Sequence, residues 1–222
     1  EDAAHAIGAS LDGKALGTWG DVGCYSFFGN KNMTTAEGGM LVTNDDHLAE
    51  KVRILRSHGM TTLTWDRFKG HASTYDVVAL GYNYRIDEIR SAIGREQLKK
   101  LPAGNARREV LVGRYRQAFQ EKAPALGLPF SAKRGVSSQH IFPVLLPEGV
   151  DREAFRERMK QDGIQTSFHY PPVHQFKIYR EEGEKLWMTE NVARRQVTLP
   201  LFPGMADEQQ NLVIESVVRA LQ

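Results

Sequence analysis

The sequence predicts an α/β fold, with a sheet-bearing segment at the amino terminus and a smaller α+β lobe at the carboxy terminus. Three patterns carry that expectation. Residues 1 to about 60 alternate short apolar runs (AHAIGA, DVGCYSFF, GGMLVTN) with glycine-rich punctuation, the mark of buried strands ended by turns. Two helical periods follow between Arg85 and Lys122. The remaining residues read strand, helix, strand and final helix, the order of an α+β lobe.

Taken in order, TNDDHLAEKVRILRSHG predicts a capped helix. Asn44 or Asp45 can serve as N-cap, Leu48, Val52 and Leu55 share one face, and Gly59 supplies a stop. From Met60 to Ala79 no period is sustained, so a long loop is expected, of the kind more often functional than idle. A helix is then expected from Arg85 to Leu101, with Ile86, Ile89, Ala92, Ile93 and Leu98 on one side and Pro102 as its end. A second helix follows from Asn105 to Lys122. In the last part QHIFPVLLP reads as a strand, DREAFRERMKQDG as a helix stopped by Gly163, IQTSFHY as a strand and DEQQNLVIESVVRAL as an amphipathic helix. The expected division is residues 1–101, a linking helical segment 102–134, and a small domain 135–222.

With 222 residues and 41% hydrophobic composition, the chain can bury a sizeable core. Basic and acidic residues nearly cancel, at 29 against 27, and no Lys/Arg cluster is interleaved with aromatics, which argues against nucleic acid as a partner. Arg107-Arg108 and Arg194-Arg195 read as solvated helix faces. No stretch approaches the roughly 20 apolar residues of a membrane span, and EDAAHA lacks the basic and apolar regions of a signal peptide, so the cytoplasm is expected. The single cysteine, Cys24, excludes an internal disulfide and, within an apolar run, reads as a buried small hydrophobe. His169 and His174 in HYPPVH have two prolines between them and no acidic or cysteine neighbour in sequence, so no metal is expected.

The most informative segment is SFFGNKNMTTAEGG, from Ser26 to Gly39. The apolar run CYSFF breaks into Gly29 and Asn30 just before Lys31, and Gly38-Gly39 starts the next apolar run. A lysine at a strand end between buried strands is partly desolvated, which lowers its pKa and makes it an amine suited to Schiff-base chemistry. Taken alone, the position equally suits a solvated loop lysine, the ordinary state of Lys.

EDAAHAIGA and SFFGNK together resemble the DegT/DnrJ/EryC1/StrS sugar aminotransferases in order, spacing and residue type. The resemblance runs on through RSHGM, GYNYRIDEIRSAIGREQLKKL, HYPPVH and TLPLFPGM, and SFFGNKNMTTAEGGMLVTND looks closest to perosamine-synthase-like members, which aminate a 4-keto sugar on GDP. It implies a fold of the aspartate aminotransferase type, here the second half of the pyridoxal-phosphate domain (residues 1–101) and the small domain. In that family the acid matching Asp2 pairs with the cofactor's pyridine nitrogen, and the lysine matching Lys31 carries the cofactor covalently. The resemblance also implies that His5 lies near the phenolic oxygen, that Ser26 binds the phosphate, and that Asn83 reaches the phosphate of a neighbouring subunit, hence a homodimer. Taken alone, Asp2 would read as a frayed terminal acid, Ser26 as strand edge and Asn83 as a turn residue. Ala36 stands where many members have glycine before EGG.

What the resemblance implies is transfer of an amino group, usually from glutamate, onto a keto carbon of a nucleotide-linked deoxysugar. Relatives with His at the Lys31 position are dehydratases, so the lysine favours amino transfer. Because the match opens directly at the Asp2 strand, the amino-terminal half of the family's chain, with its phosphate loop and stacking ring, is expected to be missing. The alternative to a truncated enzyme inactive by itself is therefore a residual or repurposed dimerising fragment, or half of a split enzyme.

Overall fold

The computed structural model describes residues 1–62, 70, 74–132, 134–180 and 185–222. The chain divides into two compact units, Glu1–Pro102 with Gly135–Ser138, and Ala103–Arg134 with Gln139–Gln222.

In the first unit the backbone of Asp2 bridges Cys24 in parallel, with Ala3 N–H donating to the Cys24 carbonyl and Cys24 N–H to that of Glu1. Strands β1 (Ser10–Leu11) and β2 (Lys14–Ala15) form a hairpin over Asp12-Gly13, whose φ angles of 48° and 77° give the doubly left-handed turn that Asp-Gly favours. Strand β3 (Gly23–Ser26) pairs antiparallel with β4 (Gly39–Val42), from Gly23 opposite Val42 to Ser26 opposite Gly39. Gly23 has no room for a side chain, because a Cβ there would collide with the Gly17 carbonyl. Phe27, Met33 and Leu101 form the buried cluster, with Ile7 and Tyr25 against it.

Cys24 departs from expectation, for its thiol is free and exposed. Successive strand residues face opposite ways, so the buried Gly23 leaves Cys24 on the open face, where its partner Leu41 is also exposed. An apolar run implies burial only when both faces are covered.

Helix α1 (Asp46–Leu55) starts as expected: the Asp45 carboxylate accepts from the N–H groups of His47 and Leu48 at 2.8 and 3.0 Å. Gly59, at φ 70°, returns its N–H to the Ile54 carbonyl. Much of the loop expected between Met60 and Ala79 lies outside the described residues, but its ends pair, Met60 with Val77 and Thr61 N–H with the Asp76 carbonyl.

Helix α2 (Glu88–Lys122) runs unbroken through Pro102, where the sequence suggested two helices. Proline's fixed φ is helical, and what it removes is one donor, the partner of the Leu98 carbonyl. Leu98 is 55% exposed, so water can serve that carbonyl instead.

In the second unit β5 (Phe142–Leu145) pairs antiparallel with β6 (Gln196–Leu199). IQTSFHY, expected to be a strand, makes a single backbone bridge to β6, Ser167 with Thr198, and otherwise reaches it through His169. Helix α3 (Arg152–Gln161) is capped by the Asp151 carboxylate and ends before Gly163 at φ 77°. Helix α4 (Trp187–Arg195) holds the Arg194-Arg195 pair that was read as helical, although its extent was not anticipated; β6 was not anticipated, while α5 (Asp207–Ala220) was. The core centres on Tyr115, stacked on Phe119 and Phe142 at 5.6 and 4.9 Å, with its hydroxyl donating to the Pro200 carbonyl. Arg108 is no surface charge: it is buried, and Nη1 donates to the carbonyls of His140 and Leu201 at 3.1 and 2.9 Å. Burial pushes its pKa down.

Candidate active site

The site grows out of a closed turn at the end of β3. Phe27, buried beneath it, donates its N–H to the Gly38 carbonyl at 2.9 Å, and its own carbonyl accepts Thr35 N–H at 2.9 Å and the Thr34 hydroxyl at 3.3 Å. Lys31 N–H closes a tighter turn onto Phe28 O at 3.0 Å. Met33 and Thr35 are buried under the loop, and Gly94 of α2 leaves room for them, since a Cβ there would lie 3.0 Å from Thr35 Cγ2. Ala36 takes φ 67°, a left-handed conformation that glycine adopts without strain, and its N–H donates to Thr34 Oγ1 at 2.9 Å.

Lys31 is thereby half-buried, and its Nζ has no hydrogen-bond or ion-pair partner among the described residues. Desolvation lowers its pKa, and the negative charge of Asp2 pulls the other way. The loop and the amino-terminal strand are thus within electrostatic reach of each other. One oxygen of Asp2, Oδ1, accepts Ala4 N–H at 3.0 Å.

Two residues that the sequence reading passed over join these pieces. The Asn32 amide donates to the Ser138 carbonyl at 2.6 Å, and the Ser138 hydroxyl donates to the His5 carbonyl at 2.7 Å. Ser138 is 4% exposed, and it ties the Asp2–His5 turn to the lysine loop across 133 and 106 positions of sequence. The antiparallel bridge between Ser10 and Val136 brings it there. No local pattern announces such a contact.

Ser26, half-buried at the end of β3, has Oγ accepting Phe28 N–H at 3.3 Å, so its hydroxyl sits at the base of the lysine turn. Asn83 stands elsewhere: its backbone bridges Ser57, and its exposed side chain accepts from Arg85 Nε at 3.1 Å. In the second unit His169 N–H donates to Gln196 Oε1 at 2.9 Å, and His174 Nε2 lies 3.1 Å from Glu190 Oε1, an acidic neighbour that sequence order hid. That bond lowers the pKa of Glu190. Among the described residues no group of three His, Cys, Asp or Glu could hold a metal ion, and no helix is long and apolar enough to cross a membrane.

Comparison with known proteins places this geometry. The profile of the DegT/DnrJ/EryC1/StrS aminotransferase family matches residues 1–218. The spore coat polysaccharide biosynthesis protein SpsC of Bacillus subtilis is 37% identical over 226 residues, covering 98% of this chain and 58% of SpsC. The aminotransferase TlmJ from Streptoalloteichus hindustanus superposes with a TM-score of 0.88 at 34% identity, over 100% of this chain and 57% of TlmJ. The PLP-form of the putative sugar aminotransferase Spr1654 from Streptococcus pneumoniae gives 0.86 at 26% identity, over 99% and 56%. The chain therefore spans somewhat over half the length of the relatives it matches, and over that span its fold is that of PLP-type aminotransferases. The chain belongs to the DegT/DnrJ/EryC1/StrS aminotransferase family.

Proposed function

We propose that this chain bears the catalytic lysine of a pyridoxal-phosphate-dependent sugar aminotransferase, which moves an amino group from glutamate to a keto carbon of a nucleotide-linked deoxysugar. One observation carries the reading: in a chain matched by the family over residues 1–218, Lys31 is a partly desolvated amine without a hydrogen-bond or ion-pair partner among the described residues, and the Asp2 charge acts on it. Such an amine, within electrostatic reach of a carboxylate whose Oδ2 has no partner among the described residues, suits a cofactor with a carbonyl carbon and a basic ring nitrogen. The relatives' names support a sugar substrate.

When bound, the cofactor supplies an electron-withdrawing ring that acidifies the carbon carrying the amino group. Asp2 would hold a proton on the ring nitrogen. Lys31 would first anchor the cofactor and then, as a free amine, carry the proton to and from the substrate carbon. Its lowered pKa helps both tasks, because only the unprotonated amine is a nucleophile or a base. His5 would stand at the phenolic oxygen, Ser26 would donate to the phosphate, and Asn83 would reach the phosphate held by a second copy of the chain. Exposed apolar residues on either side of Asn83, with Leu80 at 91%, Tyr84 at 75% and Ile89 at 76%, favour such a homodimer. The setting we propose is cytoplasmic.

Borohydride reduction in the presence of pyridoxal phosphate, followed by peptide mapping, tests the assignment. The expected adduct lies on Lys31 and vanishes in Lys31→Ala. An adduct on another lysine would overturn it.

A further inference from the structure

Asn83 sits on a backbone frame that leaves it little freedom. His58 N–H donates to the Tyr82 carbonyl at 2.8 Å and Tyr84 N–H to that of Arg56 at 2.9 Å, so 56–58 and 82–84 run as a short antiparallel ladder. Gly59 and Gly81 touch, and a Cβ on Gly81 would collide with the Gly59 backbone, which fixes the register. On this frame Arg85 Nε donates to Asn83 Oδ1 at 3.1 Å, and Arg85 Nη2 lies 3.4 Å from His58 Nε2.

A guanidinium carries donors and no acceptor. The oxygen of the Asn83 amide must therefore be the end that faces Arg85, and Nδ2 is turned away with no partner among the described residues. By the same rule His58 Nε2 accepts from Arg85 and steadies it. An unrestrained asparagine offers either end of its amide to a ligand, whereas this one offers two N–H donors. Donors suit an anion and repel a cation.

We infer that Arg85, braced by His58, is a positioning residue that sets Asn83 as an N–H donor toward a phosphate. The inference rests on the role given to Asn83 above. On this inference Arg85 acts through Asn83, to which its Nε is bonded.

The test compares binding of pyridoxal phosphate with that of pyridoxal, which lacks the phosphate, by equilibrium dialysis of the full chain. Arg85→Ala and Asn83→Ala are each expected to weaken pyridoxal phosphate by about tenfold, the size of one hydrogen bond to a charged group. The double variant should lose no more than either alone, and pyridoxal should bind equally to all. Asn83→Asp keeps the Arg85 contact but replaces the donor with a negative charge, so it should weaken pyridoxal phosphate further than Asn83→Ala. Arg85→Lys retains a donor and should recover part of the loss. Equal weakening of both ligands by Arg85→Ala would reveal a merely structural role and overturn the inference, as would no weakening. Borohydride trapping separates the two levels: an intact Lys31 adduct with an inert Arg85 removes this inference alone, and absence of any adduct removes the functional reading with it.

Discussion

Replacing Ser138 by alanine probes the stitch that holds the candidate site together. The substitution deletes the donor to the His5 carbonyl and leaves the Asn32 bond intact, because that bond is made to the Ser138 backbone. A hydrogen bond of this kind contributes about 1 kcal/mol, and a fully buried acceptor left unpaired costs about 1–3 kcal/mol. His5 is only half-buried, so water recovers part of the loss and the expected destabilisation is about 1.5–2 kcal/mol. For a chain of this size each kcal/mol moves Tm by about 2–4 °C, giving a drop of about 3–8 °C in a thermal melt. The same variant should slow trapping of pyridoxal phosphate at Lys31, because the Asp2–His5 turn loses its tie to the lysine loop. A Tm change below about 1 °C, together with unaltered trapping, would refute the role assigned to Ser138.

Other outcomes follow from the same reasoning. Pro102→Ala restores a helix donor at an exposed position in α2, where an interior proline costs about 3 kcal/mol; after allowance for the freer unfolded chain the net gain is about 2 kcal/mol, seen as a raised urea midpoint. Loss of stability would mean that the helix breaks there in solution. Asp2→Asn removes the charge that opposes the desolvation of Lys31, so the pH at which adduct formation becomes fast should move down; a profile that stays put would uncouple the two residues. Hydrogen bonds from Ser216 and then Arg219 hold the Asp162 carboxyl below its ordinary 3.8, so this contribution to stability is complete above that pH and fades as the pH falls through the lower folded value. Asp162→Asn should flatten the acid limb of the stability curve between α3 and α5, and an unchanged limb would dismiss the pair. Finally, Cys24 should react with a thiol reagent in the native chain as fast as in a denatured one.

What could be read beforehand was what the chain decides locally. The Asp45 cap, the stops at Gly59 and Gly163, and the placing of Lys31 after β3 each depend on a few neighbouring residues, and each is found where its pattern lies. The continuity of α2 is a near-local matter that misled, since the rule against interior proline takes no account of whether water can serve the orphaned carbonyl. Strand β6 is only four residues long, too short for its alternation of Gln196 and Thr198 with Val197 and Leu199 to stand out. Alternation also implies one open face, whereas all four are buried, the Gln196 amide donating to the Thr198 hydroxyl and His169 N–H to Gln196 Oε1. Asp-Gly at 12–13 did carry a hairpin signal and went unread. The exposure of Cys24 and the tie through Ser138 depend on what the rest of the chain puts opposite them. Periodicity holds no record of that.

The loop that presents Lys31 is a ring of fixed circumference. Phe27 serves as both of its gateposts, its N–H tied to Gly38 and its carbonyl to Thr35. Letters within such a ring can change, as Ala36 in a left-handed conformation already attests, but its count cannot. One inserted residue adds about 3.3 Å of chain, several times the roughly 0.5 Å within which a catalytic group must be held. A deep mutational library of this protein should therefore record many tolerated substitutions between Phe27 and Gly38 and an empty column for every insertion and deletion, although surface loops are where proteins ordinarily absorb both.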